Sequence, residues 1–126
     1  HVPKQNPKIA QAQEYINDHY TGKLTIRQVA DHLELNESYF RHLFKEETRI
    51  SFKGYVTLLR LSHAQKLLIA SDRSIYEIIQ EVGYSNISQF YKLFKLNFDQ
   101  TPAEYRRRYR RSDTNPSQRW ANQSSP

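Results

Sequence analysis

The chain repeats itself, and the repeat limits the fold more than any other feature of the sequence. Ile26, Val29, Ala30 and Leu33 return 49 positions later as Ile75, Ile78, Ile79 and Val82. Phe40, Leu43, Phe44, Lys45 and Tyr55 return 50 positions later as Phe90, Leu93, Phe94, Lys95 and Tyr105. Each set has the three- and four-residue spacing of a helix that buries one face. The offset changes by one between the sets, so the extra residue belongs to the turn that separates them. Each unit therefore reads as helix, tight turn, helix, the helix-turn-helix pattern. An ordinary helical hairpin repeated for packing has the same periodicity, so the repeat alone does not decide what the units do.

Caps and breakers divide the rest of the chain. A first helix is predicted over 8–20, with Ile9, Ala12, Ile16 and Tyr20 on one face and Gly22 marking its end. Thr25 to Gln28 and Ser74 to Glu77 are capping boxes, each opening a short helix. Asn36 caps the helix that carries Phe40 and Phe44, and Ser51 caps a long helix reaching about Ala70. Gly83 ends the fifth helix. Thr101-Pro102-Ala103-Glu104 joins a cap to a proline at the first helical position and starts a last helix ending near Arg111. No stretch alternates long enough for a sheet. The expected fold is all-α, about seven helices forming two helix-turn-helix subdomains, 8–50 and 71–111, joined by a linker helix over 51–70. Residues 1–7 read as a linker, and the polar, proline-bearing 112–126 as a flexible tail.

The long helix carries two apolar stripes. Phe52, Tyr55, Val56 and Leu59 form one; Leu61, Ala64, Leu67 and Leu68 form the other, turned by roughly 150° at helical pitch. A helix that changes its apolar side can serve one unit with its first half and the other with its second, and so fix their separation. A break near Arg60 would instead give two short helices, but neither Pro nor Gly stands there.

Charge then narrows the function classes. The 126 residues carry a formal charge of +6 with a pI near 9.6, which suggests a polyanionic partner, nucleic acid before an anionic membrane. Hydrophobic residues are 37%, so the core is small, although nine Tyr, six Phe and one Trp add apolar area. A large enzyme-like cavity is not expected. Without cysteine there are no disulfides, Cys-based zinc sites or thiol chemistry. No apolar run approaches membrane-spanning length. The chain has no Met, which predicts a piece of something longer.

The faces opposite the core separate a packing repeat from a reading device. With Phe40, Leu43 and Phe44 inward, the outward face of that helix holds Ser38, Arg41, His42, Lys45 and Arg49. With Phe90, Leu93 and Phe94 inward, the equivalent face holds Ser88, Tyr91, Lys92, Lys95 and Asp99. Most of these are donors that reach base edges or phosphates. No acid is expected on either face before Asp99; Glu37, Glu46 and Glu47 fall to the sides. The last helix holds Arg106, Arg107, Arg108, Arg110 and Arg111, which suit a phosphate backbone but equally a helix C-terminus.

Four stretches carry a family resemblance: ADHLELNESYFRHLFK from Ala30, YVTLLRLSHAQKLL from Tyr55, SIYEIIQEVGY from Ser74 and FYKLFKLNFDQTPAEYR from Phe90. Over roughly residues 8–111 the chain resembles the AraC/XylS transcription regulators. The resemblance implies a seven-helix domain that places two reading helices in adjacent major-groove segments of double-stranded operator or promoter DNA. It places the base-reading positions on Ser38, Arg41 and His42, and on Ser88, Tyr91 and Lys92 with Ile87 nearby. Lys45, Arg49, Lys95, Arg106, Arg107 and Arg110 are the candidate phosphate contacts. RNA polymerase is a second candidate partner, the setting is cytoplasmic, and the effector or dimerisation domain that most members carry is expected to be missing from this piece. The family usually has Gly after each reading helix, where Arg49 and Asp99 stand here. A left-handed non-Gly residue costs about 1 kcal/mol, so Arg49 is expected either to shape that end differently or to prolong the helix.

Other classes fit less well. A helical protein-interaction or membrane-surface module needs a wide exposed apolar stripe, and the stripes here are taken by the core. An enzyme needs converging titratable groups. His19, His32, His42 and His63 have unrelated spacings, without a metal motif, phosphate loop or nucleophile elbow. No catalysis, cofactor or metal is expected. An RNA duplex is disfavoured because its major groove is too narrow for a helix.

Overall fold

The computed structural model describes residues 6–110. The first five positions of the expected linker, Arg111 and the expected tail lie outside the described residues. Among the described residues seven α-helices follow in order: α1 (Pro7–His19), α2 (Ile26–His32), α3 (Glu37–Thr48), α4 (Phe52–Ala70), α5 (Ile75–Glu81), α6 (Ile87–Phe98) and α7 (Pro102–Tyr105). A π-helical turn over Arg106–Arg110 continues α7. Among the described residues there is no strand, and no helix is long and apolar enough to cross a membrane.

The chain divides into two compact units between Arg60 and Leu61, a point inside α4. In the first unit Ile9, Ala12, Ile16, Val29, Ala30, Leu33, Phe40 and Phe44 are buried together with Phe52 and Val56 from the first half of α4. In the second, Leu61, Ala64 and Leu68 from the other half of α4 are buried with Ile78, Ile79, Val82, Phe90 and Phe94. The change of apolar side along α4 is therefore a change of core. The helix is unbroken through Arg60, as the lack of a breaker implied. Ring contacts tie each core: Phe44 meets the Tyr55 ring edge-on at 5.2 Å, and its repeat partner Phe94 meets Tyr105 at 5.7 Å.

The caps are where the spacing placed them, with two additions. Thr25, Ser74 and Thr101 each close a reciprocal capping box, and Ser51 Oγ accepts from the Gly54 amide. The linker reading is corrected at its end: Asn6 caps α1 and Pro7 is its first residue, the position where a missing amide hydrogen costs nothing. Asn86 caps α6 by accepting from the Gln89 amide.

The turns within the units explain the one-residue slip. Both short helices end in the same doubly bonded motif. The Leu35 amide donates to the Ala30 carbonyl and Glu34 to Asp31; 49 positions on, Tyr84 donates to Ile79 and Gly83 to Gln80. The motif needs a residue with positive φ, supplied by Glu34 (59°) in one unit and Gly83 (112°) in the other. The extra residue lies after it, before Asn86.

Candidate nucleic-acid interface

In each unit the second helix of the pair carries the outward-facing donors. α3 and α6 are each 12 residues long and bury only their phenylalanine pairs fully, Phe40 with Phe44 and Phe90 with Phe94. Ser38, Arg41, His42, Lys45 and Arg49 are exposed on α3 and at its end, and Ser88, Tyr91, Lys92, Lys95 and Asp99 in the matching places on α6. Each set is thus brought together on one helix surface, away from its core. Ile87 is also exposed, at the first position of α6. Further along α6, Tyr91, Lys92, Lys95 and Leu96 line a shallow depression with Thr101, and Leu96 is 78% exposed.

Both helices stop where glycine would be expected. Arg49 and Asp99 adopt left-handed conformations, φ 72° and 61°, and each donates its amide to the carbonyl of Lys45 or Lys95 four residues back. The expectation of a longer α3 running through Arg49 is therefore corrected: the hydrogen-bonded cap outweighs the roughly 1 kcal/mol conformational cost. The Arg49 side chain remains exposed at the helix end.

The placement of Glu37 is a second correction. Its carboxylate does not fall to the side but accepts from Arg41 Nη2 at 3.1 Å, an exposed pair one helical turn apart. The i, i+4 spacing of opposite charges was the available signal. Glu47 is occupied elsewhere, accepting from the Asn6 amide and holding the start of α1.

The terminal arginines divide by what they already hold. Arg106 donates from Nε to the Leu68 carbonyl at 2.9 Å and from Nη2 to the Ser71 carbonyl at 3.0 Å. These belong to the last turn of α4 and the residue just beyond it, so the guanidinium caps that helix. Burial, and the charge of Arg110, lower its pKa from the ordinary guanidinium value, while Asp72 acts in the opposite sense; it stays charged. Arg60 does the same in the first unit, donating to the Tyr20 carbonyl at 2.7 Å and to that of Gly22 at 2.9 Å. Arg110 is paired with Asp72. Arg107 and Arg108 are exposed, with Arg108 against the Tyr109 ring. Of the candidate phosphate contacts, Arg106 is thus committed to the fold and Arg110 to a carboxylate. The Thr101 amide holds the Glu104 carboxyl below the usual carboxylate range. That explains the acid among the arginines as a helix cap. Among the described residues no group of three or more His, Asp or Glu could hold a metal ion.

Comparison with known proteins places this geometry in context. The model of a family described as helix-turn-helix domain matches residues 29–108. The regulatory protein PocR of Salmonella typhimurium is 36% identical over 110 residues, covering 87% of this chain and 36% of that protein. The solved C-terminal domain of AraT, a response regulator from Geobacillus stearothermophilus, is 32% identical, with a TM-score of 0.79 over 83% of this chain and 88% of that one. The DNA-binding domain of AdpA, a global transcriptional factor solved in complex with a target DNA, has the same fold at 22% identity. Its TM-score is 0.79, over 83% of this chain and 95% of that one. The chain spans about a third of the length of curated relatives it matches, such as PocR (36%) and the Escherichia coli melibiose operon regulatory protein (33%).

Proposed function

Because this chain belongs to the AraC/XylS-type helix-turn-helix family, we propose that it binds double-stranded promoter DNA sequence-specifically, as a binder rather than a catalyst. α3 and α6 enter adjacent major-groove segments. Arg41 makes a two-pronged contact to guanine O6 and N7, and Lys92 donates to a guanine in the second segment. Ser38, His42, Ser88 and Tyr91 meet neighbouring base edges. Lys45, Arg49, Lys95 and Arg107 neutralise phosphates and set the register. The observation that carries the reading is the matched exposure of donor-bearing faces on α3 and α6, each opposite a fully buried phenylalanine pair.

The test is a salt titration of binding to a selected duplex, with and without the Arg41→Ala substitution. Log affinity falls linearly with log salt, by about 0.9 per phosphate neutralised. Arg41→Ala costs about 1–3 kcal/mol and relaxes preference at one base pair. A flat salt response contradicts the phosphate contacts. An equal loss on all sequences moves Arg41 from the bases to the backbone.

A further inference from the structure

We infer that Glu37 is a positioning residue for DNA recognition: its carboxylate holds the Arg41 guanidinium in the orientation that selects guanine, and it repels the backbone when the register is wrong. The inference rests on the reading of α3 as the base-contacting helix and adds an acid to it.

Glu37 is the first residue of α3, directly after the Asn36 cap. Arg41 lies one turn later, and the two meet through one charge-assisted hydrogen bond, Nη2 to Oε2 at 3.1 Å. Their side chains are 41% and 55% exposed. An exposed pair of this kind adds little to the stability of the free protein, so stability does not account for it. Its geometry has a consequence at a groove. A guanidinium has five N–H donors in a fixed planar fork. One tied to Glu37 leaves an edge free for guanine O6 and N7, and the tie removes side-chain freedom that binding would otherwise have to remove. Water is expelled when the helix seats, and the pair then strengthens because its surroundings become less polar.

The same carboxylate works against the wrong complex. On non-specific DNA the arginine turns to phosphate, and an anion beside it is then brought toward the backbone charge. Glu37 therefore raises the ratio of specific to non-specific binding from both sides. The second unit differs here. Ile87 stands where Glu37 stands in the first, and Tyr91 where Arg41 stands, so α6 has no equivalent pair.

The test compares Glu37→Gln, Glu37→Asp and Arg41→Ala on the preferred duplex, on duplexes changed one base pair at a time, and on unrelated DNA. Asp keeps the negative charge that suits a helix N-terminus but is one methylene short of Arg41. Both Glu37 variants should lose about three- to tenfold discrimination at the base pair that Arg41→Ala relaxes, and Gln should bind unrelated DNA more tightly. Thermal unfolding of the variants separates a helix-end effect, which Asp would retain and which would leave base preference unchanged. The inference is overturned if Arg41→Ala relaxes one base pair while both Glu37 variants keep the full preference there. It is equally overturned if they relax a different base pair, which would make Glu37 a direct reader. If Arg41→Ala relaxes no base pair, the reading of α3 itself fails, and the inference with it.

Discussion

Removing Arg106 should cost the fold, not the DNA contact, although it stands in a run of arginines that looks made for phosphates. In Arg106→Ala two charge-assisted hydrogen bonds are lost, to the Leu68 and Ser71 carbonyls at 2.9 and 3.0 Å. A bond with a charged partner contributes about 1.5–3 kcal/mol. The two share one side chain and are only part-buried, and water can reach the freed carbonyls, so the sum falls short of additive. The expected loss is about 2–3 kcal/mol. Arg106→Lys keeps the charge but not the planar fork, so it should recover less than half of this loss. Urea unfolding followed by circular dichroism reads the effect, with the exposed Arg107→Ala as control at about 0.5 kcal/mol or less. In DNA binding the order reverses: Arg107→Ala flattens the salt slope by about 0.9, and Arg106→Ala leaves it unchanged. Equal urea midpoints for the two alanine variants, or a flattened salt slope for Arg106→Ala alone, would refute the division of the arginines made here.

Two further outcomes follow from local geometry. Glu34 holds at φ 59° the place that Gly83 fills in the second unit, so Glu34→Gly should raise stability by about 0.5 kcal/mol at most, less than the relieved strain because glycine also gains freedom when unfolded; a destabilised variant in urea unfolding would contradict that strain. Burial, helped by the charges of Lys66 and Arg73, lowers the His63 imidazole from its ordinary value. The unfolded chain therefore takes up a proton first as pH falls through about 6.5, and stability is full above that value and declines until the folded-state pKa is passed. His63→Gln should remove this part of the decline below about pH 6.5, and an unchanged slope would contradict the assignment.

Much of the architecture could be read from the sequence because its signals are local. The Phe40–Phe44 and Phe90–Phe94 spacings name the buried faces, and a buried face fixes its opposite, so the exposed donors came with it. The two stripes on α4 located the change of core for the same reason. Three capping boxes were legible as four-residue patterns. The Asn86 cap becomes legible only when the 50-residue offset of the apolar positions is extended to Asn36. The Glu37 contact is hidden from helix angles, which place α-carbons, whereas a glutamate and an arginine one turn apart reach toward each other. The capping arginines had no local signal at all. Arg106 lies 38 residues from the Leu68 carbonyl, and Arg60 lies 40 from that of Tyr20. Such partners emerge only once the helices are packed. The left-handed Glu34, Arg49 and Asp99 show helix-capping backbone bonds prevailing over a residue preference of about 1 kcal/mol.

Sequence reading by the exposed faces of both α3 and α6 underlies the proposed function. Selecting bound duplexes from a random pool tests it most directly. The expected yield is two short preferred motifs, centred about one helical turn apart at 10–10.5 base pairs, with Arg41→Ala relaxing one base pair in the first and Lys92→Ala one base pair in the second. Recovery of a single motif, or of none, would contradict it.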